Sequence, residues 1–275
     1  MKQKVKELLI KTKRRLFGQN IGNNVSVFQG NGIDFRELKE YAYGDDVRKI
    51  NWNVTAREQK PYVNVFNEER ELNIVICFIS SGSIYFGSQR QKQEVMAEVM
   101  ALLSFSAIKN SDRVTTIFFD ENLDRFFKPT KSANSVYETL EYALNLDVIG
   151  RSADFNELSN YLLNAIKQRS IVLLLGDFYD LPDFSLLARK HEVYAVIVRD
   201  RFEEDPKLFG EYDLIDPVSK SHNSLDIDDS VILSFKEELE RHDTELFTHF
   251  KKNRIPFVKI YTNEDPFIKL RELLK

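Results

Sequence analysis

Hydrophobic and polar positions alternate in blocks along this chain, and the blocks predict strands and helices in turn. Asn73 to Ile79 is an apolar run of strand length, rich in Ile and Val and bounded by polar residues. Such a run reads as a strand buried on both faces of a sheet. Small hydroxylated residues follow, Ser80-Ser81-Gly82-Ser83, and then a helical pattern from about Ser88 to Ile108. Strand, small polar loop and helix make the first unit of an open α/β sheet, whose ligands gather where loops leave the carboxyl ends of the strands. Downstream, Val114 to Phe119 predicts a second buried strand. Leu123 to Phe127 predicts a short third, pairing with it as a hairpin. Ser135 to Leu146, with Ser132 as a cap, and Phe155 to Lys167 predict helices. Ile171 to Leu175 is the strongest strand signal and runs into Gly176-Asp177. Phe184 to Lys190 reads as a short helix, Val193 to Val198 as a strand, and Asp216 to Asp229 as a polar loop. Val231 to Phe250 predicts a long helix that buries Ile232, Phe235, Leu239, Leu246 and Phe250. Pro256 to Tyr261 closes the sheet and Pro266 to Leu274 is the last helix. Strands alternating with helices imply a mostly parallel α/β sheet of the Rossmann type, covered on both faces and built with right-handed crossovers.

Ahead of the first strand the pattern differs. Residues 1–17 form a basic segment in which Lys2, Lys4, Lys6, Lys11, Lys13, Arg14 and Arg15 face a single Glu7. There Val5, Leu8, Leu9, Thr12 and Leu16 recur at helical spacing. This helix could lie on an anionic membrane or a partner; its narrow apolar face favours docking on its own domain. Residues 18–70 read as a stretch of their own. Its first part is loop, rich in Gly and Asn, with a short strand at Val25 to Phe28. In its second part Phe35, Leu38 and Tyr41 share a face, Gly44-Asp45 turns the chain, and Ile50 and Trp52 alternate as a strand would. Residues 71–275 are the α/β domain.

Composition narrows the options. The 275 residues suffice for one large or two modest domains, and 43% apolar content with ten Gly and seven Pro is globular. A net charge of −4 gives no ground for nucleic acid or an acidic substrate. The single cysteine, Cys77, cannot form an internal disulfide and reads as a buried small hydrophobe. No run is long and apolar enough to span a bilayer, and no secretory core is present. The expected location is the cytoplasm, with the basic helix allowing peripheral contact with the inner membrane.

Gly44-Asp45-Asp46-Val47-Arg48-Lys49-Ile50-Asn51-Trp52 followed by Thr55-Ala56-Arg57 resembles the domain-of-unknown-function-58 family, von Willebrand factor A-like proteins often encoded beside MoxR-type AAA+ ATPases. Phe35, Leu38 and Tyr41 fit the same pattern, as do Ser81-Gly82-Ser83 with Phe86-Gly87, Asp200 with Glu203, and Asp216-Pro217. Asn51 stands where an Asp is commoner. The resemblance implies a von Willebrand A-type sheet, a small N-terminal extra element within residues 18–70, and an adaptor or assembly role with an ATPase. It also implies a place to look for Mg²⁺: Ser81 and Ser83 match two hydroxyl ligands, Asp177 a carboxylate, and Thr130 a second-loop hydroxyl. Mg²⁺ needs oxygen ligands, at least one of them usually anionic. The position of the first anionic ligand is Ile79, which has no oxygen, so the metal site reads as degenerate. Asp120 could supply a substitute carboxylate, which keeps a metal-dependent binding or hydrolytic domain as the alternative. Without a metal, Ser81, Ser83 and Asp177 would cap helices.

No catalytic set emerges otherwise. A serine nucleophile needs a base within reach, and His191, His222, His242 and His249 lie far along the chain, where they read as solvated or capping residues. No Gly-x-Ser-x-Gly elbow or Walker-type phosphate loop occurs. Asp226, Asp228 and Asp229 lack the Gly and Glu of a Ca²⁺ loop and read as a solvated loop. Arg48 and Arg57 remain. With Asp45, Asp46 and Glu40 nearby they could form bidentate pairs that lock the extra element, with Trp52 as its anchor. The same residues could instead be a docking patch, because Trp, Tyr and Arg dominate interface hot spots.

Overall fold

The computed structural model describes residues 2–17, 35–66 and 71–274. The expected loop at 18–33 and its strand at Val25 to Phe28 lie outside them. The chain divides into two compact units, residues 29–71 and the remainder.

In the smaller unit, strands β1 (Phe35–Glu40) and β2 (Tyr62–Phe66) pair antiparallel, joined through a 3-10 turn at Val47–Lys49 and helix α2 (Trp52–Glu58); α1 is the N-terminal helix, Lys2–Phe17, of the larger unit. Trp52 therefore opens a helix and does not continue a strand from Ile50. The reason is Asn51, whose side chain accepts from Val54 N at 3.2 Å and caps the helix. Asn caps as well as Asp does, so the departure from the family residue leaves this role intact.

The larger unit continues with β3 (Asn73–Ile79), α3 (Lys92–Lys109), β4 (Arg113–Phe119), β5 (Leu123–Thr130), α4 (Ala133–Asn145) and α5 (Phe155–Ala165). Then come β6 (Ile171–Gly176), α6 (Ser185–Lys190), β7 (Glu192–Arg199), the short α7 (Arg201–Glu204), β8 (Gly210–Ile215) and β9 (His222–Ile227). α8 (Asp229–Lys252), β10 (Phe257–Tyr261) and α9 (Pro266–Leu273) complete it. The main sheet has the order β10-β7-β6-β3-β4-β5, parallel except for β5. The chain leaves β3 toward β4 and β5, then returns to β6 on the other side of β3. The strand order thus reverses between β3 and β6, the place where open sheets of this kind form their binding crevice.

Both faces of the sheet are covered. On β3, Ile74, Ile76 and Phe78 enter a core with α3, α4 and α9, while Val75, Cys77 and Ile79 enter a second core with α5, α6 and α8. This is why the strand reads as an unbroken apolar run. α3 is buried almost all round because α1, α4 and α9 pack against it as the sheet does. The N-terminal helix turns Leu9 and Thr12 inward, and Lys11 pairs with Glu98 at 2.6 Å. From its apolar face Val5, Leu8 and Leu9 pack against its own domain.

The stretch expected as loop from Asp216 to Asp229 holds the turn and second strand of an antiparallel hairpin, β9 pairing with β8 just ahead of it. Its alternation is short: Tyr212 and Leu214 on one strand and Leu225 and Ile227 on the other share a face, interrupted by Asp213 and Asp226. Asp228 is not solvated loop either, because its side chain caps α8 through Val231 N at 2.9 Å. On α8, Leu239, Leu246 and Phe250 are buried as expected, whereas Phe235 is exposed.

Under α8, Lys259 Nζ lies 2.6 Å from Asp243 Oδ2, and Arg199 Nη2 lies 3.4 Å from Oδ1. Burial alone would raise the Asp243 carboxyl, but His242, Lys259 and the Arg199 charge outweigh it and lower its pKa to about 2. The folded value lies below the unfolded value of about 3.9, so this stability is present above about pH 4 and is lost as pH falls toward 2. We expect about 2 kcal/mol of acid destabilisation from this group. Urea melts between pH 5 and 2 should show a shallower acid decline in Asp243→Asn than in the parent.

Candidate functional site

Loops from β3, β4, β6 and β7 meet at the carboxyl edge of the main sheet. After β3, Ser81 and Ser83 hydrogen-bond to each other, Oγ to Oγ at 2.6 Å, and neither caps a helix through its side chain. After β6 comes Asp177, which caps nothing either. Its Oδ2 lies 3.0 Å from Nζ of Lys92, the first residue of α3. Glu203 Oε1 holds the same ammonium at 2.6 Å, and the Tyr179 ring centroid is 4.8 Å away. Lys92 is fully buried. A lysine at a helix N-terminus opposes the helix dipole, and a buried charge needs partners; both demands are met by the two carboxylates.

The acidic positions at Asp200 and Glu203 serve this arrangement. Asp200 caps α7 and accepts from Ser88 N at 2.9 Å and from the hydroxyls of Ser88 and Thr262. Burial would raise its carboxyl, but the hydrogen bonds from Thr262, Ser88 and Phe202 hold it below the usual carboxylate range. It thereby ties β7, β10 and the approach to α3 together. Glu203 Oε2 accepts from Asp200 N at 2.8 Å while its other oxygen grips Lys92.

Ser81, Ser83 and Asp177 thus come to one edge, but Thr130 does not. Thr130 pairs with Val114, near the amino end of β4, because β5 runs antiparallel. It sits at the opposite edge, where its Oγ1 accepts from Ser132 N at 3.0 Å. Asp120 is at the correct edge, yet Arg151 Nη1 holds its Oδ2 at 2.9 Å. Ile79 is 3% exposed and packed in the second core with Phe155 and Phe178. The residues present do not fit a Mg²⁺ site: an aliphatic group stands at the first ligand position, and the two carboxylates expected to serve, Asp177 and Asp120, each already hold a cation of the protein. Among the described residues no group of three or more His, Cys, Asp or Glu is placed to hold a metal.

The histidines stand elsewhere. His191 precedes β7 at the amino edge and is buried; desolvation and the charges of Lys190 and Arg169 push its pKa down, so it is not the solvated residue expected. His249 Nε2 accepts from Phe184 N at 3.2 Å, next to α6.

A cavity of about 580 Å³ opens beside Ser81, Ser83 and Asp177. Phe202, Leu214, Leu225 and Phe235 form much of its wall, so the exposed Phe235 and the unexpected hairpin both belong to it. The hairpin turn is held by Gly82 and Gly150. Gly150 N donates to Pro217 O at 2.8 Å, and a Cβ on Gly82 would come to 2.0 Å from that same oxygen. Ser-Gly-Ser and Asp-Pro, far apart in sequence, are therefore one contact. The sequence carried no signal for Lys92, which reads as one more charged residue at a helix start.

In the smaller unit the motif divides in two. Gly44, at φ +105°, makes the turn, and Asp45 closes it by accepting from Ala42 N at 2.8 Å. Asn51 donates to Asn64 Oδ1 at 3.0 Å, and Thr55 Oγ1 accepts from Tyr62 N at 3.0 Å, joining α2 to β2. These residues are scaffold. Arg48 makes the expected bidentate pair with Asp46, Nε and Nη2 both at 3.1 Å, on the surface. Glu40 pairs with Lys60 and Asp45 with Lys39. Arg57 and Trp52 point outward; Trp52 is 70% exposed and anchors nothing. We expect Trp52→Ala to shift stability by less than about 0.5 kcal/mol, which a urea melt would measure.

The chain spans 95% of its length in a match to an uncharacterized protein of Mycobacterium tuberculosis, Rv1480, and to its Mycobacterium bovis counterpart, Mb1516. Each is 22% identical over 270 residues, with 84% of the relative covered. Among solved structures it is similar to the conserved hypothetical protein BatB of Bacteroides thetaiotaomicron, with TM-score 0.49 and 11% identity over 74% of this chain and 97% of that one. An aerotolerance-related membrane protein of Bacteroides fragilis gives TM-score 0.46 and 9% identity over 74% and 96%. Among the described residues no helix is long and apolar enough to cross a membrane. Residues 37–245 match the family described as "Protein of unknown function DUF58", a span that holds the exposed motif, the Ser-Gly-Ser loop and the Lys92 ion pairs, and the chain belongs to that family.

Proposed function

We propose that this chain is a non-enzymatic interaction protein, a von Willebrand A-like adaptor that works in the cytoplasm with a MoxR-type AAA+ ATPase in protein assembly, maturation or envelope stress. The ATPase partner comes from the family resemblance. What supports a binding role is the fate of the crevice: its carboxylate Asp177 is held by the buried Lys92 and not left open for a cation or a substrate. A lysine ammonium is fixed in the fold and cannot exchange as a metal does, so the edge offers shape and surface. The outward Trp52, Arg48 and Arg57 supply a second contact surface of the residue types that dominate hot spots.

The test is a pull-down with a MoxR-type AAA+ ATPase, with and without nucleotide. Nucleotide-dependent retention, weakened tenfold or more by Trp52→Ala at unchanged stability, is the expected result. No retention in any nucleotide state would overturn the reading.

A further inference from the structure

The 580 Å³ cavity does not end at its apolar wall. A second cavity, of about 370 Å³, shares Ser152, Ala153, Phe155 and Asp180 with it and is bordered by Glu121 and Asp154 as well. The two cavities adjoin at these four residues as a groove, the first mostly apolar in its lining and the second bordered by carboxylates. Asp177 and Glu203 at its edge share the ammonium of Lys92. Glu121, Asp154 and Asp216 are bound only by hydroxyl or backbone N–H groups, which leave their charge in place, and Asp180 is exposed where the cavities join. Among the described residues no lysine or arginine lines either cavity. Such a field disfavours an anionic or purely apolar ligand and favours one with a cation beside its apolar part.

We propose that this groove binds a segment of a partner polypeptide in which apolar side chains are followed by lysine or arginine. The inference rests on the adaptor reading and names the chemistry of what the larger unit holds. A polypeptide fits better than a small amine because the β8–β9 wall is a two-stranded sheet, with no third strand on its outer edges among the described residues. Those edges offer backbone hydrogen bonds to an extended chain, while the cavity takes its apolar side chains.

The probe is a fluorescein-labelled hexapeptide, Phe-Leu-Phe-Leu-Lys-Lys, titrated with the full chain and followed by anisotropy. Its counterpart ends in Glu-Glu. Saturable binding of the basic peptide is expected, at least tenfold tighter than the acidic one and weakened by salt. Leu225→Ser, on the exposed hairpin, should weaken it at least fivefold. Asp180→Lys should weaken it at least tenfold and strengthen the acidic peptide. The proposal is overturned if the two peptides bind alike, if both variants bind as the parent does, or if decylammonium binds and the peptide does not. Retention of the ATPase alongside any of these results would leave the adaptor reading standing and remove only the groove assignment.

Discussion

Replacing Lys92 by Met should destabilise the protein by about 3–5 kcal/mol, the effect seen when one partner of a buried ion pair is removed. Met keeps most of the side chain's length and apolar stem, so the change isolates the charge. Asp177 and Glu203 would then share a poorly solvated corner with no cation between them. The triple variant Lys92→Met, Asp177→Asn, Glu203→Gln removes the charges together and should recover more than half of the loss. That recovery separates an electrostatic origin from simple mispacking at the start of α3. Urea denaturation of the three proteins at neutral pH is the measurement. A single variant as stable as the parent would mean that the ammonium is not what holds this edge closed.

Gly82→Ala should cost about 3 kcal/mol, or free the hairpin turn, although it adds one methyl group. The atoms it would meet are backbone: Pro217 O at 2.0 Å, Pro217 C at 2.5 Å and Val218 N at 2.9 Å. No rotamer change can relieve such a contact. The turn must move, and with it goes the hydrogen bond from Gly150 N to Pro217 O. If the domain yields, the urea midpoint falls. If the turn yields, limited proteolysis within residues 210–227 accelerates and the cavity loses its wall. Parent-like stability together with parent-like proteolysis would contradict the packing described.

Legibility in the sequence followed physical simplicity. Strands buried on both faces announce themselves as apolar runs, so β3, β4, β6 and β7 were readable with their order of appearance, as was the antiparallel return of β5. The hairpin β8–β9 was not, because only Tyr212, Leu214, Leu225 and Ile227 alternate and acidic neighbours mask them. Ile50 and Trp52 alternate as a strand would, a two-residue pattern that hides the helix cap at Asn51. At the edge of the sheet, the strand–loop pattern points to the loop of Ser81 and Ser83, and the family resemblance adds Asp177 to it. Thr130 failed because an antiparallel strand carries its last residue to the wrong edge. Lys92 stayed hidden because partners far apart in sequence, Asp177 and Glu203, give it its meaning. The absence of an anionic side chain at Ile79 was visible at once; the cation that balances Asp177 required the fold.

Calorimetric titration of Mg²⁺ and Mn²⁺ into the unmodified protein bears most directly on whether the lysine has taken the cation's place. A site already filled by Lys92 predicts no saturable one-to-one binding in the micromolar range. A micromolar heat signal that disappears in Asp177→Ala would contradict it.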